Sequence, residues 1–231
     1  GAFNILQITT MDIIKQLQGR VISMFGGIVL RRWMEIYWQM RCIIHGSGTV
    51  HRDIRTANIV FYQVENAIVS IKNFKVDAPL SATYRDFMVS LAPEEEMVPN
   101  IIDFSNAWSA ELNKEEVDYE GSPMWRPLRA PERRDKYRPH PVDDIASFLV
   151  SFGQEEDLVS NSRNLIGHVE ELRREIEKKD AATLSRADMK AIDDQVFQLF
   201  RTINAELPDN VSEKDAKRCA FSNPTTSVYQ L

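Results

Sequence analysis

At 231 residues and 26.6 kDa the chain is long enough for one large domain or two small ones, and it can bury a core without disulfide or metal staples. Hydrophobic residues make up 43% and charged residues 27%, which excludes a disordered polyelectrolyte and a membrane protein. A net charge of −6 argues against a general nucleic-acid binder, and two cysteines, Cys42 and Cys219, are too few for a disulfide framework or a structural zinc site.

The longest apolar run, Val21 to Leu30, falls short of the roughly 20 residues a spanning helix needs. The N-terminus has no basic region followed by an apolar stretch and a cleavage site. Together with the low cysteine content this points to the cytoplasm or nucleus, with no membrane and no nucleic acid among the partners. Gly1 in place of Met reads as an expression scar, with natural sequence expected upstream.

In chain order, Phe3 to Thr10 reads as a strand and Lys15 to Arg20 as one or two helical turns. Gly26-Gly27 reads as a break. A helix is predicted over about Val29 to His45, because Leu30, Trp33, Met34, Tyr37, Met40 and Ile44 recur at three and four, with Gly46-Ser47-Gly48 ending it. Asn58 to Tyr62 and Ala67 to Val76 read as strands joined by a short turn. Asp77 to Asn100, with its prolines and the run Glu94-Glu95-Glu96, reads as an irregular exposed insertion. Ile101-Ile102 is predicted as a short buried strand, followed by a polar loop to about Arg138.

Three helices are predicted to follow. Asp143 to Phe152 is strongly apolar with an Asp pair where negative charge complements the helix dipole. Glu155 to Lys179 puts Leu165, Val169, Leu172 and Ile176 on one face and alternating charge on a solvated one. Arg186 to Leu207 carries the stripe Met189, Ile192, Val196, Phe200, Ile203 and Leu207, with Ser185 and Asp188 as a capping box. These stripes read as core, and the tail from Pro208 as irregular.

The chemistry lies in His51-Arg52-Asp53-Ile54-Arg55-Thr56-Ala57-Asn58. This segment resembles the catalytic loop of eukaryotic protein kinases, H-R-D followed by four residues and Asn. Three further resemblances come in family order: Ile101-Ile102-Asp103-Phe104-Ser105 to the metal-binding D-F-G element, Gly121-Ser122-Pro123 and Ala130-Pro131-Glu132 to the end of an activation segment, and Asp144-Ile145-Ala146-Ser147 to the start of the central C-lobe helix. The wording from Asp143 to Phe148 resembles the fungal-type protein kinase group.

The resemblance implies a mainly helical α+β fold, the C-terminal lobe of a protein kinase with short strands at its catalytic loop. Residues 1–13 would be the last N-lobe strand and hinge, 14–153 the C-lobe core with 77–99 inserted, and 154–231 a divergent helical region. ATP and Mg²⁺ are the implied cofactors, and a protein Ser or Thr hydroxyl the acceptor. Phosphoryl transfer needs acceptor, γ-phosphate and metal held in line. Asp53 would orient the hydroxyl. Asn58 and Asp103 would hold the metal, which prefers oxygen ligands. Arg55 stands where serine/threonine kinases usually carry a Lys. Met11, Ile13 and Val60 would contact the adenine side of ATP. His51 would pack the loop, Arg52 pair with a phosphorylated activation segment, Asp144 brace the loop through main-chain hydrogen bonds, and Glu132 find a buried Arg. Ser122, Arg126 and Arg129 would dock the substrate.

The sequence also departs from the pattern. Asp53 and Asp103 are much farther apart than in most kinases, an excess assigned to the 77–99 insertion. A rival alignment places Asn73-Phe74-Lys75 in the metal slot and gives a pseudokinase; Asp103 is preferred because it keeps a carboxylate. Ser105 replaces the usual Gly. No G-x-G-x-x-G occurs, and Lys15, the only Lys before Lys72, is too close to Asp53 to grip phosphates. The Gly-rich loop and its Lys are therefore expected upstream, and this chain alone is expected to bind ATP weakly.

Arg126, Arg129, Arg133, Arg134, Lys136 and Arg138 form a basic loop over 126–138 that fits an acidic or phosphorylated partner, or is simply an exposed polar surface. The alternative to an active Ser/Thr kinase is an inactive kinase-like module that binds a protein through this loop or the C-terminal helices. A small-molecule phosphotransferase is disfavoured by Ala130-Pro131-Glu132, which resembles a protein-substrate element. The His residues have no metal-ligand spacing, and Cys42 reads as a core thiol.

Overall fold

Apolar residues at helical spacing seed the core. Leu30, Trp33, Met34, Tyr37 and Met40 are all buried, and residues 27–39 form helix α1. The computed structural model describes residues 27–64, 80, 82–91, 96–109, 111–112, 115–127, 136–155 and 164–207. Gly27 is already helical, so the break expected at Gly26-Gly27 does not reach it. Helix α1 widens into a π-helical turn over Met40–Ile44 and tightens into a 3-10 turn over His45–Ser47. Gly48 then stops it at φ 73°, a conformation that glycine adopts without a Cβ penalty.

Two small antiparallel sheets follow. Strand β1 (Thr49–Val50) pairs with β4 (Trp108–Ser109), and β2 (Ile59–Val64) pairs with β3 (Glu96–Ile101), Ile59 facing Ile101 and Phe61 facing Pro99. Residues 51–58 join β1 to β2, so both sheets frame that loop.

The reading of 77–100 as an exposed irregular insertion needs correction. Ala82–Ser90 is helix α2, and 96–101 is β3. Leu80, Tyr84 and Met88 are buried at a spacing of four, and Tyr84 Oη donates to the Met34 carbonyl at 2.6 Å. Prolines and the acidic run masked this apolar face. The strand expected at Ile101-Ile102 is likewise longer upstream, and Ile102 lies beyond it, 37% exposed.

Helix α3 (Pro141–Phe152) starts from His140, whose ring accepts the Val142 N–H while the Asp143 carboxylate accepts the His140 N–H at 2.8 Å. Helix α4 (Leu165–Glu177) begins later than the expected Glu155. Glu155 is non-helical and accepts the Trp33 indole N–H at 2.9 Å, and Asn164 takes the N-cap position. Helix α5 (Arg186–Glu206) has the predicted capping box, Ser185 with Asp188. Its buried Ile192, Val196, Phe200 and Ile203 face the core, as do Leu165, Val169, Leu172 and Ile176 of α4.

Helix α3 packs on α4 and α4 on α5. Phe148, Phe152 and Phe200, all fully buried, meet with Trp33 and Tyr37 in edge-on or tilted contacts such as the edge-on Phe152–Phe200 at 5.3 Å. Each such pair adds about 0.5–1.5 kcal/mol beyond the area it buries. The fold is a mixed α+β domain, predominantly helical, with two small antiparallel sheets. No helix among the described residues is long and apolar enough to cross a membrane. The strand and turns expected before residue 26, the strand at 67–76 and the tail from 208 lie outside the described residues.

Candidate active site

The loop from His51 to Asn58 is held from below by α3. Asp144 is fully buried, and its carboxylate accepts the main-chain N–H of His51 and of Arg52, each at 2.7 Å. A third contact comes from His45 Nε2 at 2.9 Å. Arg52 has φ 71°, a left-handed conformation that costs a residue with a Cβ roughly 1–2 kcal/mol. The charge-assisted bonds to Asp144 offset that strain. The Arg52 side chain binds main-chain oxygens: its Nη1 donates to the Asn106 carbonyl at 2.9 Å and its Nη2 to the Asp118 carbonyl, both within reach of the buried fork.

His51 ties the loop to the segment after β3. Its Nε2 donates to the Ile102 carbonyl at 2.9 Å, and the Phe104 ring sits edge-on to the imidazole at 4.7 Å. The Ile102 N–H in turn donates to the Asn58 carbonyl at 2.9 Å. Residues far apart in sequence, 51–58 and 102–104, are thereby pinned together.

Asp53 is buried, 4% exposed. The Asn58 amide nitrogen donates to the Asp53 carbonyl at 2.9 Å and to its carboxylate Oδ2 at 2.8 Å. With both amide protons used, Asn58 Oδ1 is the side chain's remaining polar atom, an oxygen suited to a hard cation. Arg55 Nε lies 3.1 Å from the same Asp53 Oδ2, and the Ser122 N–H approaches Oδ1 at 3.5 Å.

Asp103 is exposed and has φ 63°. The Ser105 hydroxyl donates to its carboxylate at 2.7 Å and the Ser105 N–H at 3.4 Å, and these bonds hold its pKa below the ordinary carboxylate range. It is therefore an anion at neutral pH, able to ligate a cation. Ser105 itself sits in a 3-10 turn, so the positive φ falls on Asp103 and no glycine is required at 105. Beside it, Val60, Phe61, Ile102 and Phe104 expose an apolar surface, Val60 at 40%.

Gly121 passes so close to the loop that a Cβ there would lie 2.7 Å from the Arg52 carbonyl oxygen and 2.5 Å from Tyr119 Oη. Tyr119 donates to the Ser122 carbonyl at 3.1 Å; burial first, and then the Asp53 charge, raise its pKa. The Pro123–Trp125 turn is anchored on α3, Trp125 Nε1 donating to Ser151 Oγ at 2.7 Å and Ser147 Oγ to the Trp125 carbonyl at 2.8 Å. Arg126 follows, half-buried. Further along, Lys136 and Arg138 are exposed, Arg138 over the Trp108 ring at 5.9 Å.

The structure thus brings together Asp53, Arg55, Asn58, Asp103, His51, Arg52, Asp144 and Ser122. Met11, Ile13, Asn73, Arg129 and Glu132 lie outside the described residues. Among the described residues there is no cluster of three or more His, Cys, Asp or Glu that could hold a metal unaided. Magnesium commonly takes one or two protein oxygens and completes its shell with phosphate and water; the oxygens on offer here are Asn58 Oδ1 and the Asp103 carboxylate. Cys42 is buried, and burial pushes its thiol up to about 12, as suits a core residue. The sequence reading missed Arg41, His45 and Asp193, which form a chain behind Asp144, Asp193 to Arg41, Arg41 to His45 and His45 to Asp144; only the position of His45 just before the loop could have signalled one of them. Compared with protein-family models, with curated proteins and with solved structures, the chain matches none.

Proposed function

We propose that this chain carries the C-terminal lobe of a protein kinase and holds the catalytic half of a site that transfers the ATP γ-phosphate to a protein Ser or Thr hydroxyl. Asp53 orients the acceptor hydroxyl and takes its proton. Its carboxylate is fixed for that task by the Asn58 amide. Asn58 Oδ1 and the Asp103 carboxylate hold Mg²⁺, which when bound neutralises charge on the transferring phosphoryl group. Arg55 swings from Asp53 toward the γ-phosphate, supplying charge through a planar fork where a Lys would give a point charge. Val60, with Met11 and Ile13, receives the adenine. Ser122, Arg126 and Arg129 meet the substrate chain, and Glu132 is structural.

The reading is supported above all by one arrangement: the Asp144 carboxylate clamps the His51 and Arg52 amides while His51 and Asn58 clamp Ile102, the residue before Asp103. The two segments so joined carry a buried carboxylate, Asp53, an amide, Asn58, and a second carboxylate, Asp103, groups of the kind that metal-assisted phosphoryl transfer uses. Two non-glycine residues with positive φ, Arg52 and Asp103, lie in these segments, and such strain gathers at functional sites.

A second reading, a kinase-like protein-binding module without transfer, is favoured by the Arg55–Asp53 ion pair, which occupies the carboxylate. One assay separates the two. The natural chain carrying this sequence is incubated with Mg²⁺, γ-labelled ATP and a mixed Ser/Thr protein acceptor. Label is expected on Ser or Thr, and Asp53→Asn is expected to lower the rate about 10²–10⁴-fold. Full activity in Asp53→Asn refutes the assigned role; absence of transfer by the unaltered chain favours the second reading.

A further inference from the structure

Behind the catalytic loop lies a buried polar relay. The π-helical turn Met40–Ile44 that closes α1 is a type of distortion found frequently at functional sites. Arg41, 6% exposed, leaves it and uses three nitrogens. Nε and Nη2 grip Asp193 Oδ1 and Oδ2 at 2.7 and 3.0 Å, and Nη1 lies 2.8 Å from His45 Nδ1. Tyr37 Oη donates to Asp193 Oδ1 at 2.7 Å. His45 Nε2 meets Asp144 Oδ2 at 2.9 Å. The relay therefore runs from Asp193 on α5 through Arg41 and His45 to Asp144, and on to the amides of His51 and Arg52 beside Asp53.

We infer that Arg41 and Asp193 are positioning residues for the catalytic loop: they fix the tautomer of His45, so that Asp144 receives a donor and stays aimed at the His51 and Arg52 amides. The inference deepens, and in its kinetic part rests on, the proposed phosphoryl-transfer site. Its chemistry follows from donor and acceptor rules. A guanidinium only donates, so His45 Nδ1 must accept, and the ring proton must sit on Nε2, facing a carboxylate that only accepts. Asp193 clamps Arg41 bidentately, which leaves Nη1 one direction. Without Arg41, the other tautomer becomes available, and it would turn an Nε2 lone pair against Asp144. Burial, aided by the Arg41 charge, keeps His45 neutral by lowering its pKa against the opposing pull of Asp144.

A buried ion pair is a poor source of net stability, since apolar residues of similar volume often do as well. That gives a clean variant: Tyr37→Phe, Arg41→Met and Asp193→Leu together remove every member of the relay beyond His45 and leave no buried charge unpaired. The first measurement is long-range ¹⁵N NMR of His45 in the unaltered chain at neutral pH, which needs neither activity nor a variant. A neutral ring protonated on Nε2 is expected; a proton on Nδ1, or an imidazolium, overturns the inference. The second is transfer kinetics. The triple variant is expected to keep a cooperative melt but to lose about 10- to 100-fold in kcat with KM for ATP within about twofold. Unchanged kcat in a folded triple variant, or a KM effect alone, overturns the positioning role. If the unaltered chain transfers no phosphate, the proposed function fails, and His45 in the unaltered chain and triple variant decides the relay by itself: a tautomer fixed in one and lost in the other upholds it, the same tautomer in both refutes it.

Discussion

Replacing Asp144 by Ala removes the acceptor of two buried main-chain donors, the N–H groups of His51 and Arg52. His51 is 0% exposed and Arg52 6%, so water does not readily take the acceptor's place. Each orphaned buried donor costs about 1–3 kcal/mol, hence about 2–6 kcal/mol for the pair. His45 Nε2 loses its partner as well, while release of a desolvated carboxylate offsets part of the loss, for a net destabilisation of about 3 kcal/mol. The loop suffers more than the fold. Arg52 at φ 71° loses the bonds that hold its strain, and its grip on the Asn106 and Asp118 carbonyls loosens with it. Urea unfolding followed by circular dichroism reads the first effect, and hydrogen exchange at the His51 and Arg52 amides the second. Asp144→Asn, which retains one acceptor oxygen, is expected to fall between. A loss below about 1 kcal/mol with both amides still protected would refute the brace.

Three further outcomes are expected. Phe200→Ala, at the centre of the ring cluster, should cost about 3–5 kcal/mol in the same unfolding assay. Gly121→Ala should cost about 1–3 kcal/mol and slow transfer, because the Arg52 carbonyl that the new Cβ meets belongs to the braced loop; unaltered stability and rate would show that the segment moves aside freely. Burial raises the Glu35 pKa to about 7, against the opposing Arg31 charge. Between its unfolded value and about 7 the folded state binds the extra proton, so this contribution falls as pH rises. His45, with a lowered pKa, acts in the opposite sense, so the useful quantity is unaltered chain minus Glu35→Gln. That difference should decline across the window; a flat difference would remove Glu35 as its source.

What the sequence revealed follows from how local each signal is. The stripe of α5, its Ser185–Asp188 box and the Gly48 stop depend on neighbours within a few residues, and each stands where periodicity and capping chemistry put it. The Asp144 brace was legible only because the loop motif supplied its address. Helix α2 was not legible: Leu80, Tyr84 and Met88 carry a helical spacing, but the surrounding prolines and acidic run outweighed a short face whose partners, Met34, Tyr37 and Phe197, come from α1 and α5. The start of α4 was misjudged because Glu155 continues the charge pattern, while its hydrogen bond to Trp33 is a tertiary fact. Arg41 and Asp193 are invisible for the same reason; an Arg inside an apolar helix reads as surface until α5 brings it a carboxylate.

The central claim is that the His51–Asn58 loop and the Ile102–Phe104 turn act as one metal and phosphate site. It is tested most directly with Mn²⁺·ATP added to the natural chain labelled with [¹⁵N]Asn. Mn²⁺ replaces Mg²⁺ and broadens nearby amide signals. The Asn58 side-chain amide should broaden beyond detection, and Asp103→Asn should restore it. No broadening at Asn58, or broadening that survives Asp103→Asn, would contradict the account.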